Sequence, residues 1–593
     1  MIAATGRSWR DPIVLGLLLA LAFGLWELQF SSFMADDFIQ LGVLEGVLPV
    51  NWLGPLNLYT ISDGNAQHVQ LLKDAGALPW FFDPGFKMAF FRPLSSAALV
   101  LDHTLFGLNP IGYRIHGVLW SLLLVVGVGE LYSLVLQRAG LADGQVAVSQ
   151  AGPIATLALL LFTIAGIHGF FCWTATRHIV IAAAVGVLAL CSHVRWREQS
   201  WRPGRLLSVL GFVVALSASE AALGMIAYLL AYEALGARGD GWSRVRASVP
   251  VIGVLGAYLL MYRVLGLGTS GGSDYLDPFN DPMMYVTQIP GRLVFLIGAM
   301  LSGANADLWL LRPGLRPAMI LAAALVILLC GVLLRTVWVT CSAREQRATG
   351  WMLAGALLSA IPFAGSAIGS RCVLVPWIGG SVAIALMLNR WWTTLRRRPG
   401  LSNRLLGTLC WGLVGIHLVL APVQRLAVPY LLQRVLFRDL ARAVGDPHLG
   451  GEEVTERTVV LLNAPDLRLG LHAYLFRQLY RLPIPAAWRV LSWAPCAHRF
   501  RRTAVDIMDM ELVGGELHAS SLVQGEVINV AGMQATVTEL GRDGPTRVRF
   551  RFDKPLDDPS LVWLIWKDGR LQRIAPPAIG ATLDLPWEPG NSL

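Results

Sequence analysis

Charge is scarce in this 593-residue chain: Asp, Glu, Lys and Arg together make up only 15%. Soluble domains carry about 25%, so the string of soluble domains that the length alone would suggest is excluded. Cysteine is dilute, seven in all, and no paired-Cys or His-Glu-x-x-His spacing occurs, so a disulfide scaffold and a zinc site have no support. Cys172, Cys191, Cys330, Cys341, Cys372 and Cys410 lie in or beside apolar runs, and only Cys496 lies in a polar stretch. Glycine has no period, no 20–50-residue repeat recurs, and neither a phosphate loop nor a dinucleotide fingerprint is present. What the chain does have is apolar sequence: 55% hydrophobic residues, a mean hydropathy of +0.55, and repeated runs of about 20 residues, the length that crosses a bilayer. It reads as an α-helical polytopic membrane protein. The 48 basic against 39 acidic residues, a net charge of +9, fit cytoplasmic loops and anionic lipid, and nucleic acid is set aside.

The first apolar run, Asp11 to Phe30, follows Arg7 and Arg10 and exceeds a signal-peptide core. It reads as an uncleaved anchor with its N-terminus in the cytoplasm. A mixed segment, Ser31 to about Asn109, comes next. Further spans run near 110–137, 152–168, 178–194, 206–218, 221–236, 247–267, 317–335, 351–366, 372–390 and 405–424. Four basic clusters mark connecting loops: Arg195, Arg197, Arg202 and Arg205; Arg238, Arg244 and Arg246; Arg344 and Arg347; and Arg396, Arg397, Arg398 and Arg404. All four fall inside only if eleven spans cross and the run Tyr285 to Gly303, with Pro290 and Arg292, lies in the outer interface. Loop 31–109, the turns near 169–177, 219–220 and 367–371, the stretch 268–316 and everything after about 425 then share the outer face.

Residues 426–593 are expected to form an extracytoplasmic domain of their own, beside a membrane domain of residues 1–425. Val459 to Asn463 reads as a strand and Leu471 to Leu479 as a helix. Beyond Ile507 the sequence turns β-rich: Glu526 to Val530, Gln534 to Leu540 and Thr546 to Phe552 read as strands. Leu561 to Trp566 and Leu571 to Ile574 flank Lys567-Asp568-Gly569-Arg570, a hairpin turn.

Candidate chemistry gathers at the outer face. Asp36 and Asp37, in Met34-Ala35-Asp36-Asp37-Phe38, follow the first span. Adjacent carboxylates suit general-base work or a divalent cation, and also a plain helix cap. Phe91-Arg92-Pro93-Leu94 predicts a helix start and Gly107 to Pro110 its end. The fourteen or so residues between are too few to cross, leaving Asp102 and His103 at the outer surface. Arg177 and His178, Glu220, Arg263 and Arg371 mark the outer ends of later spans. Expelling a lipid phosphate needs a base for the acceptor hydroxyl and fixed cations for the leaving group. His116, His168 and His417 are single histidines on apolar segments and read as packed side chains.

The order of acidic pair, then F-R-P-L, L-D-H and F-G-L-N-P-x-G-Y (residues 91–113), resembles the GT-C superfamily of glycosyltransferases that use polyprenyl-linked sugars. Over residues 10–425 it is most similar to the membrane part of the tetratricopeptide-bearing O-mannosyltransferases and their bacterial relatives. The resemblance implies that Asp36 or Asp37 is the catalytic base and that Arg371 lies near the donor phosphate. Two positions depart from the pattern: Gly169 follows His168 where His-Pro is usual, and Ser219-Glu220 stands where Lys-Glu is common. Donor-phosphate neutralisation then rests on Arg92, Arg177, Arg263 and Arg371. A polyprenyl-phosphate-linked sugar, a periplasmic acceptor and the bilayer are the implied partners, and a divalent cation is admitted but not required. The expected protein is an inverting glycosyltransferase of the bacterial inner membrane. A transporter or flippase is the alternative from another class, although such proteins show repeats and midplane polar sites that are missing here. A catalytically inactive scaffold carrying the β-rich tail is the third.

Overall fold

The computed structural model describes residues 12–588 apart from 49, 51–53, 138–150, 272–274, 397–400, 446–448, 450–453, 467, 518, 520 and 543. Arg7, Arg10, Arg397 and Arg398, which enter the orientation expected above, lie outside the described residues. The chain folds as two compact units, one of Met1–Ser31, Phe90–Leu267 and Ser273–Tyr430, the other of Ser32–Ala89, Gly268–Gly272 and Leu431–Leu593.

The first unit is helical. Its described residues include eight helices long and apolar enough to cross a membrane, and three shorter apolar ones, Pro12–Leu28, Pro203–Ala218 and Ala222–Gly236. Helix Leu374–Arg390 is buried along almost its whole length. Helix Arg316–Trp338, by contrast, exposes Leu321, Leu325, Leu328 and Val332 in one stripe, an arrangement that suits lipid rather than water.

Glycine sets one close helix pair. Helices Pro12–Leu28 and Pro110–Tyr132 run antiparallel in one register that brings 13 to 129, 16 to 125 and 24 to 118. A Cβ on Gly24 would sit 2.8 Å from Val118 Cγ1, and one on Gly129 2.8 Å from Ile13 Cγ1. Only bare backbone permits so near an approach. At one end of the bundle arginines near the ends of helices 177–199 and 374–390 meet acids: Arg195 with Glu130 at 2.6 Å, Arg197 with Glu233 at 2.9 Å, and Arg390 with Glu345.

Helix Pro282–Ser302 has 21 residues, about 31 Å, and is apolar enough to span. Its surroundings tie it to one turn. Ahead of it, the Leu276 N–H bonds the Gly365 carbonyl at 2.7 Å. Midway, Arg292 donates to the carbonyls of Ala364 and Ser366. Beyond it, Asp307 accepts from the Ser370 N–H at 3.3 Å. Residues on both flanks of this helix, and Arg292 within it, thus bond the 364–370 turn.

Among the described residues the second unit holds three sheets. β1 (Thr60–Asp63), β2 (Lys87–Ala89) and β3 (Gly268–Ser270) form an antiparallel sheet in that order. β4 (Thr458–Leu461) and β5 (Ala487–Val490) are parallel neighbours. β6 (Ala497–Arg502), β7 (Ile507–Val513), β8 (Val527–Val530), β9 (Met533–Leu540), β10 (Pro545–Phe552), β11 (Leu561–Lys567), β12 (Arg570–Ile574) and β13 (Thr582–Leu585) follow. A six-stranded antiparallel sheet has the order β13-β6-β7-β10-β9-β8, and a four-stranded mixed sheet the order β12-β11-β4-β5. The expected hairpin is β11–β12. Asp568 (φ 53°) and Gly569 (φ 71°) supply the two left-handed residues of a type I′ turn. On β10 Val548, Phe550 and Phe552 point inward and Arg547, Arg549 and Arg551 outward, where Arg549 pairs with Asp509 and Arg547 with Glu511 across to β7. The core of this unit includes Trp80 and Phe81 together with Phe500, Phe550 and Trp563.

Candidate active site

Arg92 precedes Pro93, which sits at the first helical position of Pro93–Phe106 and holds Arg92 in a non-helical conformation (φ −136°, ψ 51°). That geometry lets one guanidinium serve three partners. Nε donates to Glu220 Oε2 at 2.9 Å and Nη2 donates to Glu220 Oε1, a two-pronged pair. Nη1 lies 3.1 Å from His178 Nε2, and the group caps the Phe90 ring at 4.3 Å. His178 Nδ1 is in turn 2.8 Å from Ser219 Oγ. Burial would raise the pKa of Glu220, but Arg92 outweighs it and holds the carboxyl below its ordinary range. The pair is therefore an ionised one.

Arg371, on the turn before helix Leu374–Arg390, donates to the Ala367 carbonyl at 3.1 Å. Its charge bears on both His178 and Asp307. Burial raises the pKa of Asp307 above its ordinary value, against the pull of Ser370 and Arg371. Arg92, His178, Ser219, Glu220, Arg371 and Asp307 thus form one electrostatically linked group at one end of the bundle.

Asp102 does not face water. It is 1% exposed, bonded to Arg177 and to His116 Nδ1 at 2.6 Å. Arg177 also donates to the Tyr113 carbonyl at 3.0 Å, and Trp120 Nε1 to His116 Nε2 at 3.0 Å. Asp102 and Arg177 bolt helix 93–106 to its neighbours, a positioning role. His103 is half-buried on the same helix. Arg263 is exposed, its guanidinium 5.8 Å from the Phe279 ring, and no bond among those described draws it into the Arg92 group. His168 and His417 bond main-chain carbonyls of Phe162 and Leu301, as packed histidines do.

Sequence reasoning missed Asp307 and the part played by His116. Asp307 sits in the stretch 268–316 already assigned to the outer face, which was its one signal.

The acidic pair belongs to the second unit. Ala35 has φ 47° and ψ −115°, a conformation costly for a residue with a Cβ. It turns the chain abruptly into helix Asp36–Leu44. Asp36 is exposed at the helix start. Asp37 is 2% exposed, and its Oδ2 accepts the Met34 N–H at 2.9 Å, closing the turn. Phe38 packs edge-on to Phe476 at 5.6 Å, so helix 36–44 is seated on helix Ala473–Leu479. Burial and the nearby Asp37 carboxylate push the Tyr480 phenol up to about 12, so it stays protonated. Among the described residues no group of three or more His, Cys, Asp or Glu side chains is placed to hold a metal ion.

No protein-family model matches the chain, and no curated protein matches it. Two solved structures of ArnT from Cupriavidus metallidurans are similar to it at 13% sequence identity. The structure bound to undecaprenyl phosphate gives a TM-score of 0.38 over 80% of this chain and 85% of that one. The apo structure gives 0.37 over 80% and 84%.

Proposed function

We propose that this protein is a GT-C-type membrane glycosyltransferase that moves a sugar from a polyprenyl-phosphate carrier to an acceptor outside the cytoplasm, with inversion. The observation that carries it is the Arg92 group. A guanidinium locked by Glu220 and touching His178, with the Arg371 charge beside it, stands at the end of an apolar helix bundle, where a lipid-borne phosphate would arrive. Fixed cations of this kind receive the charge that develops on a leaving phosphate.

Asp36 is the preferred base, because its carboxylate is exposed while that of Asp37 closes the Met34–Asp37 turn. It takes the proton of the acceptor hydroxyl as the acceptor oxygen bonds to the anomeric carbon. The bond from that carbon to the phosphate oxygen breaks, and its electron pair leaves with the polyprenyl phosphate. Arg92 and Arg371 neutralise the departing charge. A divalent cation is compatible with the exposed Asp36 and is not needed for the proton balance. The cellular setting is a bacterial inner membrane, with the N-terminus cytoplasmic and residues 426–593 periplasmic.

The experiment is mass spectrometry of the cell envelope with and without the protein, joined to transfer assays on membranes supplied with polyprenyl-phosphate sugars. A hexose, pentose or amino-sugar increment that disappears with the protein identifies donor class and acceptor together. Full transfer by both Asp36→Asn and Asp37→Asn removes the proposed base. Cargo flux in liposomes without sugar transfer would replace the enzyme with a transporter.

A further inference from the structure

A second buried ionic group lies in the first unit, apart from the Arg92 group. Its centre is Glu27, near the end of helix 12–28. The register that sets Gly24 against Val118 carries Glu27, one turn on, to Arg114 of helix 110–132. On the other side Arg425 Nε lies 3.7 Å from Glu27 Oε1. Both guanidiniums act on that one carboxylate. All three residues are buried, none more than 7% exposed. His168, also buried, bonds a main-chain carbonyl, feels the Arg425 charge and adds no negative charge.

Charge is unbalanced here, and so are the hydrogen bonds. Two cations face one anion, and among the described residues three guanidinium donors, Nε and Nη1 of Arg114 and Nε of Arg425, are buried without a hydrogen-bond partner against one such acceptor, Oε1 of Glu27. Arg425 is otherwise used by the Thr163 carbonyl and the Phe23 ring. Leaving guanidinium donors buried and unmet is costly. A bound anion would meet them.

The depth of the group points to the kind of anion. Trp26 beside Glu27 donates to the Leu426 carbonyl at 2.9 Å, Phe30 meets Trp26 edge-on at 5.3 Å, and Tyr430 meets Phe30 at 5.9 Å. Aromatic rings so arranged at the ends of apolar helices mark the level of lipid headgroups. Leu25, Trp26, Val423 and Leu426 are exposed, so the lipid-facing surface lies one residue away from Glu27 and Arg425.

We propose that Arg114 and Arg425 bind the phosphate of a membrane phospholipid at headgroup depth, with Glu27 as the gate that weakens the site. The full-length protein in detergent is the material for the test. Its unfolding temperature is followed against added phosphatidylglycerol, diacylglycerol and inorganic phosphate. Phosphatidylglycerol should raise it by several degrees and diacylglycerol should not, and Arg114→Met should lose most of the response. Glu27→Gln removes the competing carboxylate and should lower the half-saturating phosphatidylglycerol concentration roughly five-fold. Inorganic phosphate should act weakly, at far higher concentration, through the same arginine. An undiminished response in Arg114→Met, or a weakened one in Glu27→Gln, overturns the site. A response to inorganic phosphate with none to phosphatidylglycerol overturns its assignment to a lipid.

Discussion

Trp80 donates its indole N–H to the carbonyl of Leu491 at 3.0 Å, across 411 residues of sequence. The same ring stands edge-on to Phe81 and to Phe550 of β10, each at 5.4 Å. Residues 32–89 and the C-terminal part therefore share one core. Truncating that ring, Trp80→Ala, should destabilise the second unit by about 3–5 kcal/mol. Limited proteolysis of the full-length protein against urea checks it, with cleavage expected in both 32–89 and 431–593 at one lower midpoint.

The two aspartates should separate on mutation. Asp36→Asn should lower sugar transfer by about 10²–10⁴-fold, the usual worth of a general base. Asp37→Asn keeps an acceptor for the Met34 N–H and should cost far less. Initial rates on purified variants with equal melting temperatures distinguish them, and equal losses would assign the base to neither alone.

Arg92→Met should lower kcat/KM for the lipid-linked donor by about ten-fold or more, since it removes a cation facing the departing phosphate and leaves Glu220 without its partner. Arg92→Lys should not rescue it, because an ammonium cannot span both Glu220 oxygens and His178. Titration of the donor at fixed acceptor concentration measures the effect.

His498 supplies a pH dependence of stability. It lies stacked on Phe500 with Nε2 2.9 Å from Ser492 Oγ, and burial pushes its pKa from 6.5 down to about 4. Between those values the unfolded chain binds the additional proton, so stability falls as pH drops through that window and is complete above it. The loss should approach about 3 kcal/mol. Denaturation midpoints of the full chain between pH 7.5 and pH 4.5 test this, and His498→Gln should flatten the slope.

Much of this fold was legible because one property repeats locally. The apolar runs announced the helices, and Pro93 with the Gly107 to Pro110 stretch bracketed helix 93–106. Strand β6 escaped notice because its inward residues are His498, Phe500 and Arg502, which hide the alternation. Sheet β1-β2-β3 was invisible because its third strand lies in residues 268–270, far from the other two. In the site, Arg92, His178 and Glu220 were each named, but their mutual bonds depend on three turns meeting, which no local pattern encodes. Asp102 looked like a surface acid because its partners, Arg177 and His116, arrive from other helices.

The strand at Gly268–Ser270 and the seat of helix 36–44 on helix 473–479 also bear on biosynthesis. A ribosome adding about 5–20 residues per second makes the acidic helix early, then needs on the order of half a minute or more to reach its seat. Through that interval Trp80 and Phe81 of the nascent segment 32–89 stay uncovered, a natural client for a chaperone. A stop codon before Leu491 would leave Trp80 without its carbonyl partner, so truncations there should be read as assembly defects before they are read as lost chemistry.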